Sequence, residues 1–330
     1  MRKAGGMLTW RLALGAVAAA IVVLSTIVTR AQDYPSRPIQ VIVPFAGGSA
    51  SDVVTRIMLD RMGKSLGQPF IVDNRPGAGG NTGTQAAVRT APDGYTLVMS
   101  TVGPLAANRT LFKSLGYDPE KDFSPISLFA VLPNVVVINA KLPPKSLSEL
   151  VTYAKQNPRQ LNYGTVGVGS SQHLAGAYFE QVAGVQLVHV PYRNIAQYTP
   201  DFIAGQVPLG FQFLPNVIGM LSSGDARALA VTSPRRMTAL PDVPTARETG
   251  MDYETFGWLA LLGPAGMPKP VVDRLHKALD EAVNDPTVRS RFVEQGAEPV
   301  SPGPDELQKF IVSETAKWKA IIEKAGIEPM

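Results

Sequence analysis

Three glycine-rich turns, each set between an apolar β-like run and a helix-forming segment, constrain this chain most. They read Pro44-Phe45-Ala46-Gly47-Gly48-Ser49, Gly77-Ala78-Gly79-Gly80-Asn81-Thr82-Gly83 and Gly164-Thr165-Val166-Gly167-Val168-Gly169-Ser170-Ser171. The run before the first turn, Ile39 to Val43, is continuously apolar, as a strand buried on both faces requires. Strand, turn and helix repeated in this order predict parallel pairing with right-handed crossovers. A glycine turn that opens a helix also leaves bare N–H groups at a positive helix end. It can therefore hold a small anion without a charged side chain.

The N-terminus bears on compartment. Arg2, Lys3 and Arg11 precede and enter an apolar segment, Leu12 to Val28 is uncharged, and Thr29-Arg30-Ala31 offers a small-residue cleavage site. That layout predicts a secretory signal peptide over 1–31, with the mature chain starting near Gln32. The bland alternative is an uncleaved anchor, because 17 uncharged residues sit at the short limit for spanning a bilayer. The leader holds four basic residues and no acidic ones, so the formal charge of +4 falls to zero without it. A nucleic-acid partner loses its electrostatic support, and attraction for an anionic ligand must be local.

There is no cysteine. Disulfides, thiolate chemistry, cysteine–zinc sites and a lipoprotein anchor are excluded, so about 299 mature residues must be held by a hydrophobic core. The periplasm is the expected compartment.

Along the chain, Val54, Met58, Met62 and Leu66 repeat at helical spacing behind a Ser49/Asp52 capping pair, and Gly67 ends the helix. Strands are expected at Phe70–Val72 and Tyr95–Met99. A long β-rich stretch, Leu128 to Asn139, is interrupted by Pro133, which marks a crossing between domains. Further strands are expected at Leu161–Tyr163, Val185–Val190, Gln206–Phe213 and Ala226–Val231. Helices are expected at Ser146–Gln156, Ser170–Val182, Pro270–Asn284 and Pro304–Ala325. A return crossing is expected near Tyr253 to Leu262.

The inventory for catalysis is short. Only His173, His189 and His276 exist, and there is no His-Glu-x-x-His, Gly-x-Ser-x-Gly, Ser-x-x-Lys or Walker lysine. The turn at Gly77 fails the dinucleotide fingerprint, since Thr82 stands where its third glycine belongs. Ser170 and Ser171 with His173 sit at a helix start, where serine is the ordinary cap rather than a nucleophile. His173 either aims at an anion or satisfies a loop carbonyl. No enzymatic activity, metal or cofactor is expected.

The chain resembles the Bug family of extracytoplasmic solute receptors, the binding components of tripartite tricarboxylate transporters. The resemblance rests on Tyr34-Pro35-Ser36-Arg37-Pro38-Ile39, Val43-Pro44-Phe45-Ala46-Gly47-Gly48 and Val72-Asp73-Asn74-Arg75-Pro76-Gly77-Ala78-Gly79-Gly80. It continues through Ala91-Pro92-Asp93-Gly94-Tyr95-Thr96-Leu97, Leu161-Asn162-Tyr163-Gly164, Ser170-Ser171-Gln172-His173-Leu174 and Val190-Pro191-Tyr192. Leu240-Pro241-Asp242-Val243-Pro244-Thr245 and Gly263-Pro264-Ala265-Gly266 complete it. These blocks span the mature chain in order.

The resemblance implies a two-domain α/β periplasmic-binding-protein fold, of the type II-like Venus-flytrap kind. Residues 32–133 plus 254–330 would form one lobe and 134–253 the other. It also implies a carboxylate held by main-chain groups of facing glycine turns. Phe45, Ala46, Gly47, Gly48 and Ser49 would line one wall, flanked by Asn74, Gly79 and Gly80. Gly164, Thr165, Gly167, Gly169, Ser170, Ser171 and His173 would line the other, with specificity from Thr101, Tyr192, Arg193, Asn194 and Gln212.

Three positions depart from the family pattern: Arg193-Asn194 in place of Lys-Gly, Pro208 in place of Asp, and Gln212 in place of Asp. Loss of a cleft carboxylate at Gln212 would disfavour amine-bearing ligands. Arg193 suits a carboxylate, with a surface ion pair as its bland alternative. The implied partners are a small carboxylate and the membrane subunits of such a transporter, and a monomer is the simplest expectation. Presentation of ligand to a histidine-kinase ectodomain is the alternative role.

Overall fold

A computed structural model describes residues 34–329, and the expected signal peptide lies outside the described residues. Two mixed sheets divide the chain. The first has the order β11-β4-β10-β3-β1-β2, built from β1 (Ile39–Val43), β2 (Phe70–Asn74), β3 (Thr96–Thr101), β4 (Phe123–Pro133), β10 (Phe256–Pro264) and β11 (Glu298–Pro299). β1 pairs in parallel with β2 and β3, as strand–turn–helix repetition requires, while β10 enters antiparallel between β3 and β4.

The second sheet has the order β7-β6-β8-β5-β9, from β5 (Val135–Asn139), β6 (Asn162–Thr165), β7 (Val188–Pro191), β8 (Leu209–Gln212) and β9 (Ala226–Val231). β6 is parallel to both β7 and β8, and β5 is antiparallel to β8 and β9.

Helices cover both faces of each sheet. Around the first lie α1 (Ala50–Leu66), α2 (Asn81–Val88), a π-helical turn (Gly103–Ala107) running into α3 (Asn108–Leu111), α8 (Lys269–Asn284), α9 (Pro286–Glu294) and α10 (Pro304–Lys324). Around the second lie α4 (Leu147–Gln156), α5 (Ser171–Ala183), α6 (Ile195–Ala204) and α7 (Leu214–Ser223).

Strand alternation explains this layering. Ile39, Val41 and Val43 pack with Val54 and Met58 of α1 and Leu275 and Leu279 of α8, whereas Ile42 faces the cluster containing Leu307, Ile311 and Trp318 of α10. In the second sheet, Val136 and Ile138 pack with Leu150 and Phe179, while Val135 and Val137 pack with Phe202 and Val217. Each such fully buried side chain contributes roughly 1.5–3 kcal/mol, which stands in for the missing disulfides.

The stretch expected as one β run is two strands, and a single residue, Asn134, separates them. β4 ends at Pro133 in the first sheet and β5 begins at Val135 in the second. The Asn134 N–H donates to Thr232 Oγ1 at 2.8 Å, and the Thr232 N–H donates to the Asn134 carbonyl at 2.9 Å. Thr232 Oγ1 also bonds the carbonyl of Thr255, next to β10, so the outgoing and returning connections are tied side by side.

Some elements differ from expectation. The strand expected over Val185–Val190 begins at Val188, and that expected over Gln206–Phe213 is limited to Leu209–Gln212. The helices α6, α7 and α9 and the π-helical turn at Gly103 are not among the expected elements.

Candidate functional site

The strands β1, β3, β6, β7 and β8 deliver their C-terminal ends to one gap between the lobes, open to solvent at its rim. Its lining follows that geometry. Phe45, Ala46, Ser49, Ala50 and Ser51 come from the β1–α1 turn, and Thr101 from the end of β3. From the facing lobe come Val166, Ser171 and Gln172 after β6, Arg193, Asn194 and Ile195 after β7, and Phe213 and Asn216 after β8.

Four helix N-termini therefore converge on the gap, those of α1, α5, α6 and α7. Ser49 caps α1, with its hydroxyl accepting from the Asp52 N–H; Ser170 caps α5 through the His173 N–H; Asn194 caps α6 through the Gln197 N–H. The Ala50 N–H donates across the gap to Asn216 Oδ1 at 3.2 Å, whereas among the described residues no acceptor takes the N–H groups of Ser51, Ser171 or Gln172. These are the unsatisfied donors that every helix start presents.

Thr101 adds a donor of another kind. Its side chain is buried, with 3% exposure, and its Oγ1 has no hydrogen-bond partner. Arg193, an exposed residue of the same lining, adds a positive charge. No carboxylate lies within ion-pair distance of it among the described residues, and no aspartate or glutamate lines the gap.

The structure separates the residues anticipated from sequence into two groups. Phe45, Ala46, Ser49, Thr101, Ser171, Arg193 and Asn194 line the gap. The others stand behind it. Gly47 and Gly48 are exposed, and the Gly48 N–H is taken by Asp52 Oδ2 at 2.9 Å. Asn74 braces the turn from the rear, donating to the Phe45 carbonyl at 3.0 Å and to Asp52 Oδ1 at 2.8 Å. Burial pushes the Asp52 carboxyl up, but hydrogen bonds from Arg56, Asn74 and the Gly48 N–H outweigh it and hold the group below the usual carboxylate range.

Gly79 and Gly80 do not line the gap, though Gly80 backs Phe45 of its wall. Gly79 lies against the opposite lobe, where a Cβ would stand 2.0 Å from the Val168 carbonyl oxygen; Gly80 is pressed on Pro104 and Phe45. Gly167 meets Gly79 across the same contact, and Gly169 abuts Asn108. Gly164 packs on the Tyr198 ring, where nothing larger fits. Tyr192 turns its hydroxyl to Asp201 at 2.6 Å. Gln212 is fully buried and one step removed: its Nε2 donates to the Gly164 carbonyl at 2.8 Å, and its Oε1 accepts from Asn216, the residue that reaches the gap.

Thr165, Ser170 and His173 form a polar cluster beneath the third glycine turn. Thr165 Oγ1 bonds His189 Nε2 at 2.6 Å and accepts from the Gly167 N–H at 3.1 Å. The Gly169 N–H donates to His173 Nδ1 at 3.2 Å, and the two imidazoles stack with centroids 4.3 Å apart. Burial lowers the His173 pKa to about 4; burial and the neighbouring His173 lower that of His189 to about 3. Both rings are thus neutral at neutral pH, with His173 Nδ1 as an acceptor. Ser170 Oγ donates to the Gly167 carbonyl at 2.7 Å, so serine and histidine are spent on fixing the turn and not on one another.

Sequence reasoning missed Ala50, Ser51, Val166, Gln172, Ile195, Phe213 and Asn216. Two signals were available: Asn194-x-x-Gln197 reads as a capping box, and Pro215 stands in the first turn of α7.

The family model for the tripartite tricarboxylate transporter family receptor matches residues 54–327. The chain is 36% identical to protein BugT of Bordetella pertussis over 298 residues, covering 90% of this chain and 91% of that one. Among solved structures, the periplasmic binding protein BugD is 35% identical with a TM-score of 0.84, covering 90% of this chain and 100% of that one. The Rhodopseudomonas palustris protein Rpa4515 with adipate is 34% identical with a TM-score of 0.87 and the same coverage. MatC of that organism, with bound malate, is 32% identical with a TM-score of 0.82, covering 88% of this chain and 100% of that one. With its two-lobe α/β fold and an interlobe gap at the strand ends, this chain belongs to the Bug family of tripartite tricarboxylate transporter solute receptors.

Proposed function

We propose that this protein is a periplasmic receptor that captures a small carboxylate by closing its lobes and delivers it to the membrane subunits of a tripartite tricarboxylate-type transporter. The observation that carries this reading is the sign of the gap. Four helix N-termini and the cationic residue Arg193 border it, and no carboxylate of the described residues lines it. Each helix end carries roughly half a positive charge, in a space that closure removes from water.

The N–H groups of Ser51, Ser171 and Gln172 and the Thr101 hydroxyl are the donors for the ligand carboxylate. Phe45, Val166, Ile195 and Phe213 take its carbon frame. Relatives solved with adipate and malate support the ligand class. The lobes are 32–133 plus 254–330 and 134–253, and rotation between them falls on the tied connections at Asn134 and Thr232. Closure traps the ligand, and the membrane subunits recognise the closed form. With Gln212 buried and no carboxylate in the gap, amine-bearing ligands find no counter-ion.

A thermal-shift screen of residues 32–330 against mono-, di- and tricarboxylates, amino acids and sugars tests the reading. A ligand about 100-fold above its Kd adds about 2.7 kcal/mol, or several degrees for a chain of this size. Shifts confined to carboxylates are expected. Silence from every acid together with a response to amines or sugars would overturn it.

A further inference from the structure

We infer that Arg193 is the residue that reads a second acidic group on the ligand and so sets the preference of this receptor for diacids over monoacids; this rests on the carboxylate reading above. Arg193, an exposed residue, is part of the gap's lining, and no described carboxylate lies within ion-pair distance of it. Its main chain is fixed rather than loose. The Arg193 N–H donates to Gln197 Oε1 at 3.2 Å, while the Gln197 N–H donates to Asn194 Oδ1 at 3.1 Å, a reciprocal capping arrangement at the start of α6.

A cation just outside a helix N-terminus is held against the helix dipole, which favours an anion there. Among the described residues no ion pair or side-chain hydrogen bond of Arg193 repays that placement. The unpaired charge and the positive helix end therefore add at one point of the gap wall, where a planar fork of donors matches a carboxylate in two bonds.

This locus is distinct from the first set of donors. Those belong to α1, α5 and the end of β3, with the buried and unpartnered Thr101 Oγ1 among them, and they suffice for one carboxylate. Between the polar groups the lining is Phe45, Val166, Ile195 and Phe213, which asks for an apolar or aromatic spacer rather than a hydroxylated one. The ligand geometry that uses every group is an acid at each end of a carbon frame.

The test is isothermal titration of residues 32–330 with matched pairs that differ by one carboxylate: adipate against hexanoate, and malate against 3-hydroxybutyrate. Wild type, Arg193→Gln and Arg193→Lys are compared. Wild type should prefer the diacid of at least one pair by about tenfold to a hundredfold. Arg193→Gln should weaken the diacid by about tenfold or more beyond any loss for the monoacid, and Arg193→Lys should restore part of that difference.

The melting temperature of Arg193→Gln without ligand should equal or exceed that of wild type, since a cation leaves a helix start. Equal weakening of mono- and diacid, or no change in either, overturns the role for Arg193 while leaving the carboxylate receptor intact. A wild type that binds only monoacids does the same. If neither acid of either pair binds and the screen above finds sugars or amines, the receptor reading itself has failed.

Discussion

Gly103, at the start of the π-helical turn after β3, faces the carbonyl oxygen of Gly169 in the opposite lobe so closely that a Cβ would stand 2.0 Å from it. The position has no positive φ, so an alanine there strains nothing in its own backbone. Gly103→Ala should leave each lobe folded and keep the lobes from meeting. Ligand affinity should fall about tenfold to a hundredfold, or about 1.4–2.8 kcal/mol, with little change in the ligand-free melting temperature. Titration with the best acid of the screen, alongside scattering measurements of compaction, checks it. Undiminished affinity would show that this contact is not part of the bound state. Gly79→Ala is less clean, because its φ of 63° adds backbone strain to the clash with Val168.

Thr101→Val should move stability and binding in opposite directions. The Thr101 hydroxyl is buried without a partner, a cost that an isosteric methyl removes. Unfolding free energy should rise by about 1 kcal/mol, and carboxylate affinity should drop about tenfold. Urea unfolding and titration on one sample measure both. Loss of stability would mean that the hydroxyl is satisfied in solution, and unchanged affinity would remove it from the ligand donors.

The first lobe was legible because its strands are short continuous apolar runs punctuated by glycine turns, from β1 through α1 to β3. Pro133 likewise marked the change of sheet at Asn134 to within one residue. The gap was legible in part. Phe45, Ala46, Ser49 and Ser171 follow from the rule that turns after parallel strands face the ligand. The walls built by α6 and α7 were not. Pro200 interrupts the interior of α6, and α7 follows β8 after the apolar cap residue Phe213 with no polar cap, so neither showed as a helix. Nor does local sequence distinguish a glycine turn that meets a ligand from one that meets another lobe. Gly79 and Gly167 are small because they touch each other's turns, and that is a tertiary fact.

Acid should weaken the protein through its stacked histidines well before ordinary carboxylates titrate. With native pKa values of about 4 for His173 and about 3 for His189, below the usual 6.5, both rings stay neutral when folded and take protons when unfolded. Their contribution is complete above pH 6.5 or so and is lost as pH falls towards about 4 and then 3. At pH 5.5 the loss is about 1–1.5 kcal/mol per ring relative to pH 7.5. Urea midpoints at the two pH values should differ accordingly in wild type. The difference should shrink in the double variant His173→Gln, His189→Gln, compared at equal ionic strength. An unchanged pH dependence in that variant would place the titration elsewhere.

Glu314 is a carboxylate buried in the core. It is 5% exposed, and its Oε2 accepts from the indole N–H of Trp258 at 3.0 Å and of Trp318 at 3.1 Å, while Lys317 balances Oε1 at 3.0 Å. The carboxylate thus ties α10 to β10 beneath the returning connection between lobes. Removing it leaves two indole donors buried without an acceptor, at about 1–3 kcal/mol each. Glu314→Ala should therefore lose about 3–5 kcal/mol of unfolding free energy once its small cavity is included. Glu314→Gln keeps one oxygen that can accept from both indoles as Oε2 does, and should lose about half as much, because those bonds lose their charge and Lys317 loses its charge partner. Denaturant unfolding of the three proteins at pH 7.5 decides it. Equal losses in Gln and Ala would assign the effect to the missing charge opposite Lys317 rather than to the indole acceptors.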